Sequence, residues 1–200
     1  MSDRKTNAAP LTDMLRLDAV KRWGIVRVSR EQSVAEHTFN VQAIALAIWQ
    51  SVHEQKLRET RAGDIADLLL YALTHDLPES ITGDINSRMK RLLPDEVMPD
   101  IERQLFPALV LAQHEASSLA KEIVKAADVI EAVRYLILHG VDADAARVCK
   151  ELLSYAGYLV KRLPGSYPVL KQVISLSAWT PGQAAEYLDH AINVAAPPTQ

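Results

Sequence analysis

Apolar residues recur along this chain at spacings of three and four, the period of a helix with one buried face. No stretch is persuasive as a β-strand. The clearest helix spans about residues 63–76, where Ile65, Leu68, Leu69 and Ala72 fall at i, i+3, i+4 and i+7. Ahead of it, Thr12 is placed to cap a first helix running through Leu15, Leu17 and Val20 to about Trp23, where Gly24 breaks it. Ile25-Val26-Arg27-Val28 is short and β-branched enough to be extended. Ser33-Val34-Ala35-Glu36 is a capping box opening a helix to about Glu54, with Val34, Val41, Ala45, Ile48 and Val52 on one stripe. A short helix is expected over 85–93 before Pro94, then helical pieces over 95–114 broken by Pro99 and Pro107. Residues 116–139 are apolar around most of the circumference, which marks a central helix. Gly140 ends it, and Asp142 or Asp144 opens the next, which ends near Pro164-Gly165. Shorter helices follow over 167–175 and 181–194. The pattern predicts an all-α fold, a single-domain helical bundle over 11–194, with flexible ends at 1–10 and 195–200.

Four polar residues interrupt these apolar faces. His37 lies on the buried stripe of the second helix, one turn from its start. The count that places Ala72 inside continues onto His75 and Asp76, which run into a proline-broken loop, Leu77-Pro78-Glu79-Ser80-Ile81-Thr82-Gly83-Asp84. Asp128 sits on the central helix. A buried carboxylate needs a cation, donors or a metal beside it. Each residue also has an ordinary reading: a hydrogen-bonded core histidine, a helix C-terminus favouring His75, a solvated face formed by Lys121, Lys125, Asp128 and Glu131. As a set, two imidazoles and two carboxylates make an apt shell for one divalent ion with sites left for water and substrate. Spacing alone does not say that they converge.

Composition narrows the setting. The chain has 200 residues, 48% of them hydrophobic, enough for one domain with a real core. No apolar run approaches the roughly 18 residues that span a bilayer, and residues 1–10 lack the apolar centre of a signal peptide. One cysteine, Cys149, excludes an intrachain disulfide framework. A cytoplasmic protein with no membrane partner is expected. The net charge is −3 and no lysine-arginine block occurs, which argues against a nucleic-acid groove. A small phosphorylated ligand needs only two or three placed cations.

His37, then His75-Asp76, then Asp128, each on a separate helix, resembles the H…HD…D signature of the HD-domain metal-dependent phosphohydrolases. The neighbours sharpen the likeness. Ser33-Val34-Ala35-Glu36-His37, the His75-Asp76-Leu77-Pro78-Glu79…Thr82-Gly83-Asp84 loop and the upstream pair Arg22-Trp23 resemble the bacterial 5′-deoxynucleotidases (YfbR-like) of that superfamily, over about Leu15 to Tyr135. The resemblance implies a mononuclear site ligated by His37, His75, Asp76 and Asp128, and hydrolysis of a nucleotide phosphate ester, the metal polarising the attacking water. The ion is manganese, cobalt, magnesium, iron(II), nickel or zinc. Glu79 and Asp84 match the family's acidic residues that position water and handle protons. Otherwise Glu79 is a solvated loop acid and Asp84 the N-cap of the next helix. Arg22 would bind phosphate by its planar fork and Trp23 would wall the sugar and base; locally they read equally as a surface ion pair and a core aromatic. Lys125 is a further phosphate candidate. His114 ends a helix; His53, His139 and His190 read as helix-end or surface residues.

Two departures bear on the substrate. The stretch between His75 and Asp128 is shorter than in the enteric 5′-deoxynucleotidases, and Gly24-Ile25 follows Arg22-Trp23 where those enzymes have proline and leucine. The expectation is a 5′-deoxynucleotidase acting on 2′-deoxynucleoside 5′-monophosphates. The alternatives are a deoxynucleoside triphosphate triphosphohydrolase of the dATP type, and a non-catalytic helical module that binds a nucleotide. A homodimer is what the resemblance suggests.

Overall fold

The most apolar helix of the sequence becomes the axis around which the others pack. A computed structural model describes residues 11–54, 62–107 and 115–193. Its helices are α1 (Leu11–Leu15), followed by a 3-10 turn at Arg16–Asp18, α2 (Val34–His53), α3 (Ala62–Thr74), α4 (Glu79–Thr82), α5 (Ser87–Lys90) and α6 (Val97–Leu105). Then come α7 (Ser118–His139), α8 (Ala143–Arg162), a 3-10 turn at Pro164–Ser166, α9 (Tyr167–Ser177) and α10 (Pro181–Asn193). The described residues contain no strand, only two isolated bridges, Lys21 with Ser33 and Val28 with Gly140. None of their helices is long and apolar enough to cross a membrane.

α7 packs against α2, α3, α8 and α9, and α10 closes on α8. Ile123, Ala127, Ile130 and Val133 of α7 meet Val41, Ala45 and Ile48 of α2 in a core shared with Leu68, Ala72, Leu153 and Ile174. At the α8–α10 crossing the backbones touch: a Cβ on Gly157 would lie 1.6 Å from the Ala191 carbonyl oxygen, so only glycine fits. A second, smaller cluster joins Leu17, Val34, Leu77 and Phe106. It pins Leu77, the neighbour of Asp76, and so holds the loop that carries the His-Asp pair.

Capping explains several boundaries. Ser33 Oγ accepts from the Glu36 N–H at 3.1 Å, Ser117 Oγ from Ala120, and Asp142 Oδ1 from Ala145. The expected capping box at Ser33 is only half formed, because the Glu36 carboxylate takes both arms of the Arg30 guanidinium at 2.8 and 2.7 Å instead. α3 ends at Thr74, whose hydroxyl donates back to the Leu70 carbonyl, leaving His75 and Asp76 in the turn just beyond the helix.

Two sequence expectations are corrected. The first helix stops near Asp18 rather than Trp23, because from Val20 the backbone pairs with the segment before α2: Arg22 N–H donates to Gln32 O at 2.9 Å and Val34 N–H to Val20 O at 2.9 Å. The helix expected over 85–93 is a single turn, α5, and the segment before it, expected as loop, holds another single turn, α4, ended by Gly83 at φ +71°. The flexible ends expected at 1–10 and 195–200, and His114, lie outside the described residues.

Candidate metal centre

His37, on the inward face of α2, and His75 and Asp76, in the turn after α3, bring one ligand atom each within 4.8 Å of one another, a group able to hold a metal ion. His37 Nε2 lies 3.4 Å and His75 Nε2 3.3 Å from Asp76 Oδ2. Asp128, on α7, has its Oδ1 3.3 Å from His37 Nε2. Three of the four residues proposed as a set form one group, and Asp128 reaches it through His37.

The other nitrogen of each imidazole is committed. His37 Nδ1 sits 2.6 Å from Glu131 Oε2, and His75 Nδ1 2.7 Å from the Ala72 carbonyl. A carbonyl only accepts, so His75 carries its proton on Nδ1 and aims the Nε2 lone pair at Asp76; an ionised Glu131 imposes the same tautomer on His37. Among the described residues, six buried side-chain polar atoms have no hydrogen-bond partner. Four belong to residues of this region: His37 Nε2, His75 Nε2, Glu79 Oε2 and Arg22 Nε. Buried polar atoms are rarely left unpaired, so this set fits a group that the protein atoms do not supply. Two nitrogens, two carboxylates and fixed tautomers suit a divalent ion.

The charges agree. Burial opposes ionisation of Asp76, but the adjacent His75 and His37 hold its pKa below the ordinary carboxylate range. Burial likewise opposes ionisation of Asp128, and Lys125, His37 and Arg22 hold it well below that range. With only protein groups around it, burial and the Arg22 charge work against a charged His37, yet Asp128 and Glu131 lift it to about 9. A neutral-pH pocket that forces a proton onto a buried imidazole is a pocket short of positive charge.

Three cations face the carboxylates. Arg22 Nη1 meets Asp76 Oδ2 at 3.2 Å, Lys125 Nζ meets Asp128 Oδ2 at 2.9 Å, and Lys90 Nζ meets Glu79 Oε1 at 3.2 Å. Glu79 is buried, not the solvated loop acid that local pattern allowed; burial and the Asp76 charge push its pKa up to about 7, against the pull of Lys90. Asp84 lies close enough for its charge to act on Arg22 and on Glu79. It does not cap the next turn: Asn86 Oδ1 accepts from Met89 N–H there. Trp23 packs on the core edge, stacked on Tyr135 at 5.8 Å with 5° between the rings, beside the Arg22 guanidinium at 5.7 Å. Its φ of +67° is rare for a bulky residue and marks a backbone held by its surroundings. His53, His139 and His190 bond to Trp49 O, Ser29 Oγ and Ser154 Oγ, away from the centre.

Sequence reasoning missed three residues. Glu131 is fully buried rather than on a solvated face; it receives His37, Gln32 Nε2 at 2.8 Å and Asn40 Nδ2 at 3.2 Å, so its carboxylate stays ionised despite burial. Its signal was its position three residues after Asp128, which puts both acids on one side of α7. Gln32 precedes the cap residue and carried no pattern. Lys90 lies in a turn that periodicity misread.

Comparison with known proteins gives a consistent set of likenesses. The family model for 5′-deoxynucleotidase YfbR-like proteins matches residues 11–105. A protein of Acinetobacter phage SH-Ab 15497 named dATP triphosphohydrolase is 37% identical over 138 residues, covering 65% of this chain and 68% of that protein. A Citrobacter koseri 5′-deoxynucleotidase is 27% identical over 132 residues, covering 58% of this chain and 64% of that protein. Among solved structures, an HD phosphohydrolase of Cyanophage S-2L, bound to dA and one catalytic Zn2+ ion, superposes with a TM-score of 0.64 at 24% identity, covering 90% of this chain and 91% of that one. The chain spans about two thirds of the length of the curated relatives it matches.

Proposed function

The chain belongs to the YfbR-like HD-domain phosphohydrolases, and from that premise we propose that it hydrolyses the 5′ phosphoester bond of 2′-deoxynucleoside triphosphates of the dATP type, releasing deoxynucleoside and triphosphate. The observation that carries the reading is the group of His37, His75 and Asp76, whose ligand atoms lie within 4.8 Å of one another, with His37 Nε2 and His75 Nε2 buried and unpartnered. His37, His75, Asp76 and Asp128 would hold one divalent ion there. When bound, such an ion supplies Lewis acidity toward phosphate and water.

The remaining roles belong to the chain's own groups. Glu79, whose pKa burial and the Asp76 charge raise to about 7 with only protein groups around it, would act as general acid or base, and Asp84 would help orient the water. The Arg22 fork grips a phosphate and Trp23 walls the sugar and base. Three cations, Arg22, Lys90 and Lys125, each hold one site carboxylate and can pass to phosphate oxygens when substrate enters. That is more positive charge than one phosphate needs, and it favours a triphosphate. The phage relative's name points the same way.

A second reading, removal of phosphate from 2′-deoxynucleoside 5′-monophosphates, is favoured by the family model, whose match contains Arg22, Trp23, His37 and the whole His75–Asp84 loop. The reading also carries a cytoplasmic homodimer without a nucleic-acid partner, supported by the resemblance and by the absence of a basic run. Metal-free protein reloaded with cobalt, manganese, magnesium or zinc, given dATP, dAMP and their ribose counterparts, separates the two when products are resolved by anion exchange. Triphosphate from dATP supports the first reading and orthophosphate from dAMP the second. No product from any of them in metal-loaded protein sinks both.

A further inference from the structure

Outside the ion's direct partners, one continuous set of hydrogen bonds leaves the centre and ends on Trp23. His37 Nδ1 lies 2.6 Å from Glu131 Oε2; Gln32 Nε2 donates to Glu131 Oε1 at 2.8 Å; Trp23 Nε1 donates to Gln32 Oε1 at 2.9 Å. His37, Glu131 and Gln32 are each 0% exposed, so water does not compete for any link but the last. The polarity of the chain is forced. An indole N–H only donates, so the Gln32 oxygen must face Trp23, and its NH2 must therefore face Glu131. A carboxylate that accepts from Gln32, Asn40 and His37 holds the proton on Nδ1 and the lone pair on Nε2, where the ion is expected. The backbone repeats the link, because Arg22 N–H donates to Gln32 O at 2.9 Å.

The geometry points to Gln32 as a positioning residue that couples the nucleoside wall to the metal centre: a shift of Trp23 is passed through Gln32 and Glu131 to His37. This rests on the reading above, in which His37 holds the ion and Trp23 faces the nucleoside. Occupancy of the nucleoside pocket and affinity for the ion are then linked, and linkage is reciprocal.

The test measures Co2+ affinity and the cobalt absorption bands of the full chain, with cobalt chloride alone as probe, in wild type, Trp23→Phe, Gln32→Leu and the double variant. Trp23→Phe keeps an aromatic side chain and removes the N–H donor together with the five-membered ring. The expected result is a loss of Co2+ affinity of roughly tenfold in Trp23→Phe, the lower end of the range seen for groups behind a metal ligand. An altered band shape, an equal or larger loss in Gln32→Leu, and no further loss in the double variant are expected with it. Co2+ affinity within about twofold of wild type in Trp23→Phe, or losses that simply add in the double variant, overturns the coupling. Should Gln32→Leu fail to fold, the wild type still decides. 2′,5′-Dideoxyadenosine, which has no 5′ oxygen to reach the ion, must bind several-fold tighter with Co2+ present; equal binding overturns the proposal. Wild type that binds no Co2+ at all overturns the metal reading itself, a result distinct from intact binding without coupling.

Discussion

Replacing Glu79 by glutamine sets stability against activity in a way that the structure makes quantitative. Glu79 is buried, with Oε2 unpartnered and only Lys90 on Oε1. Burial and the Asp76 charge raise its pKa from 4.5 to about 7. The folded protein therefore holds a proton that the unfolded chain has already lost between those two values, so stability falls as pH rises from about 4.5 to about 7 and is level above that. Ionising this group inside the fold costs about 3 kcal/mol by the usual conversion. Glutamine keeps the shape without the charge. It gives up the pair with Lys90, but that lysine is 41% exposed, so the pair contributes at most about 1 kcal/mol. In metal-free protein the Glu79→Gln variant should be more stable than wild type by about 1–3 kcal/mol at pH 8 and nearly equal to it at pH 4.5. Urea unfolding in the presence of a chelator, at both pH values, reads this directly. Hydrolysis by the metal-loaded variant should fall by about 10²–10⁴-fold if Glu79 exchanges the proton. A variant no more stable than wild type at pH 8 would refute the argument that burial keeps this carboxyl close to neutrality.

Other substitutions probe separate parts of the molecule. Asp76→Ala removes the carboxylate that both Nε2 atoms and Arg22 face, so metal bound per chain, read by elemental analysis, should drop to near zero while far-UV circular dichroism is unchanged, because Asp76 lies in a turn. Retained metal at wild-type affinity would show that the ion sits elsewhere. Gly157→Ala forces α8 and α10 apart, since the new Cβ falls 1.6 Å from Ala191 O; a loss of about 3 kcal/mol or more is expected in urea unfolding, and a neutral result would mean that the crossing is looser than described. Ser33→Ala deletes the α2 N-cap one turn before His37 and should cost about 1 kcal/mol by the same measurement.

The sequence by itself determined the helices whose signals are local. A hydroxyl or carboxylate at Ser33, Ser117 or Asp142, three residues before a free N–H, fixes where α2, α7 and α8 begin, whatever they later pack against. The unbroken apolar circumference of α7 likewise required a central place. The four candidate ligands stood out as polar groups on apolar helix faces, each with an ordinary reading, and the resemblance to the HD-domain signature is what joined them as a set.

Only the tertiary structure decided the rest. The first helix ended early because the backbone of Val20 and Arg22 found partners at Val34 and Gln32, at least ten residues on, which no local propensity records. Glu131 reads on the sequence as one more acid in a charged row; it became the buried partner of His37 only when α2 and α7 packed face to face. Gln32 and Lys90 gained their roles from residues 99 and 11 positions away. The pKa of Glu79 is likewise a property of what surrounds it, because desolvation and neighbouring charge act through space and leave no trace in residue order.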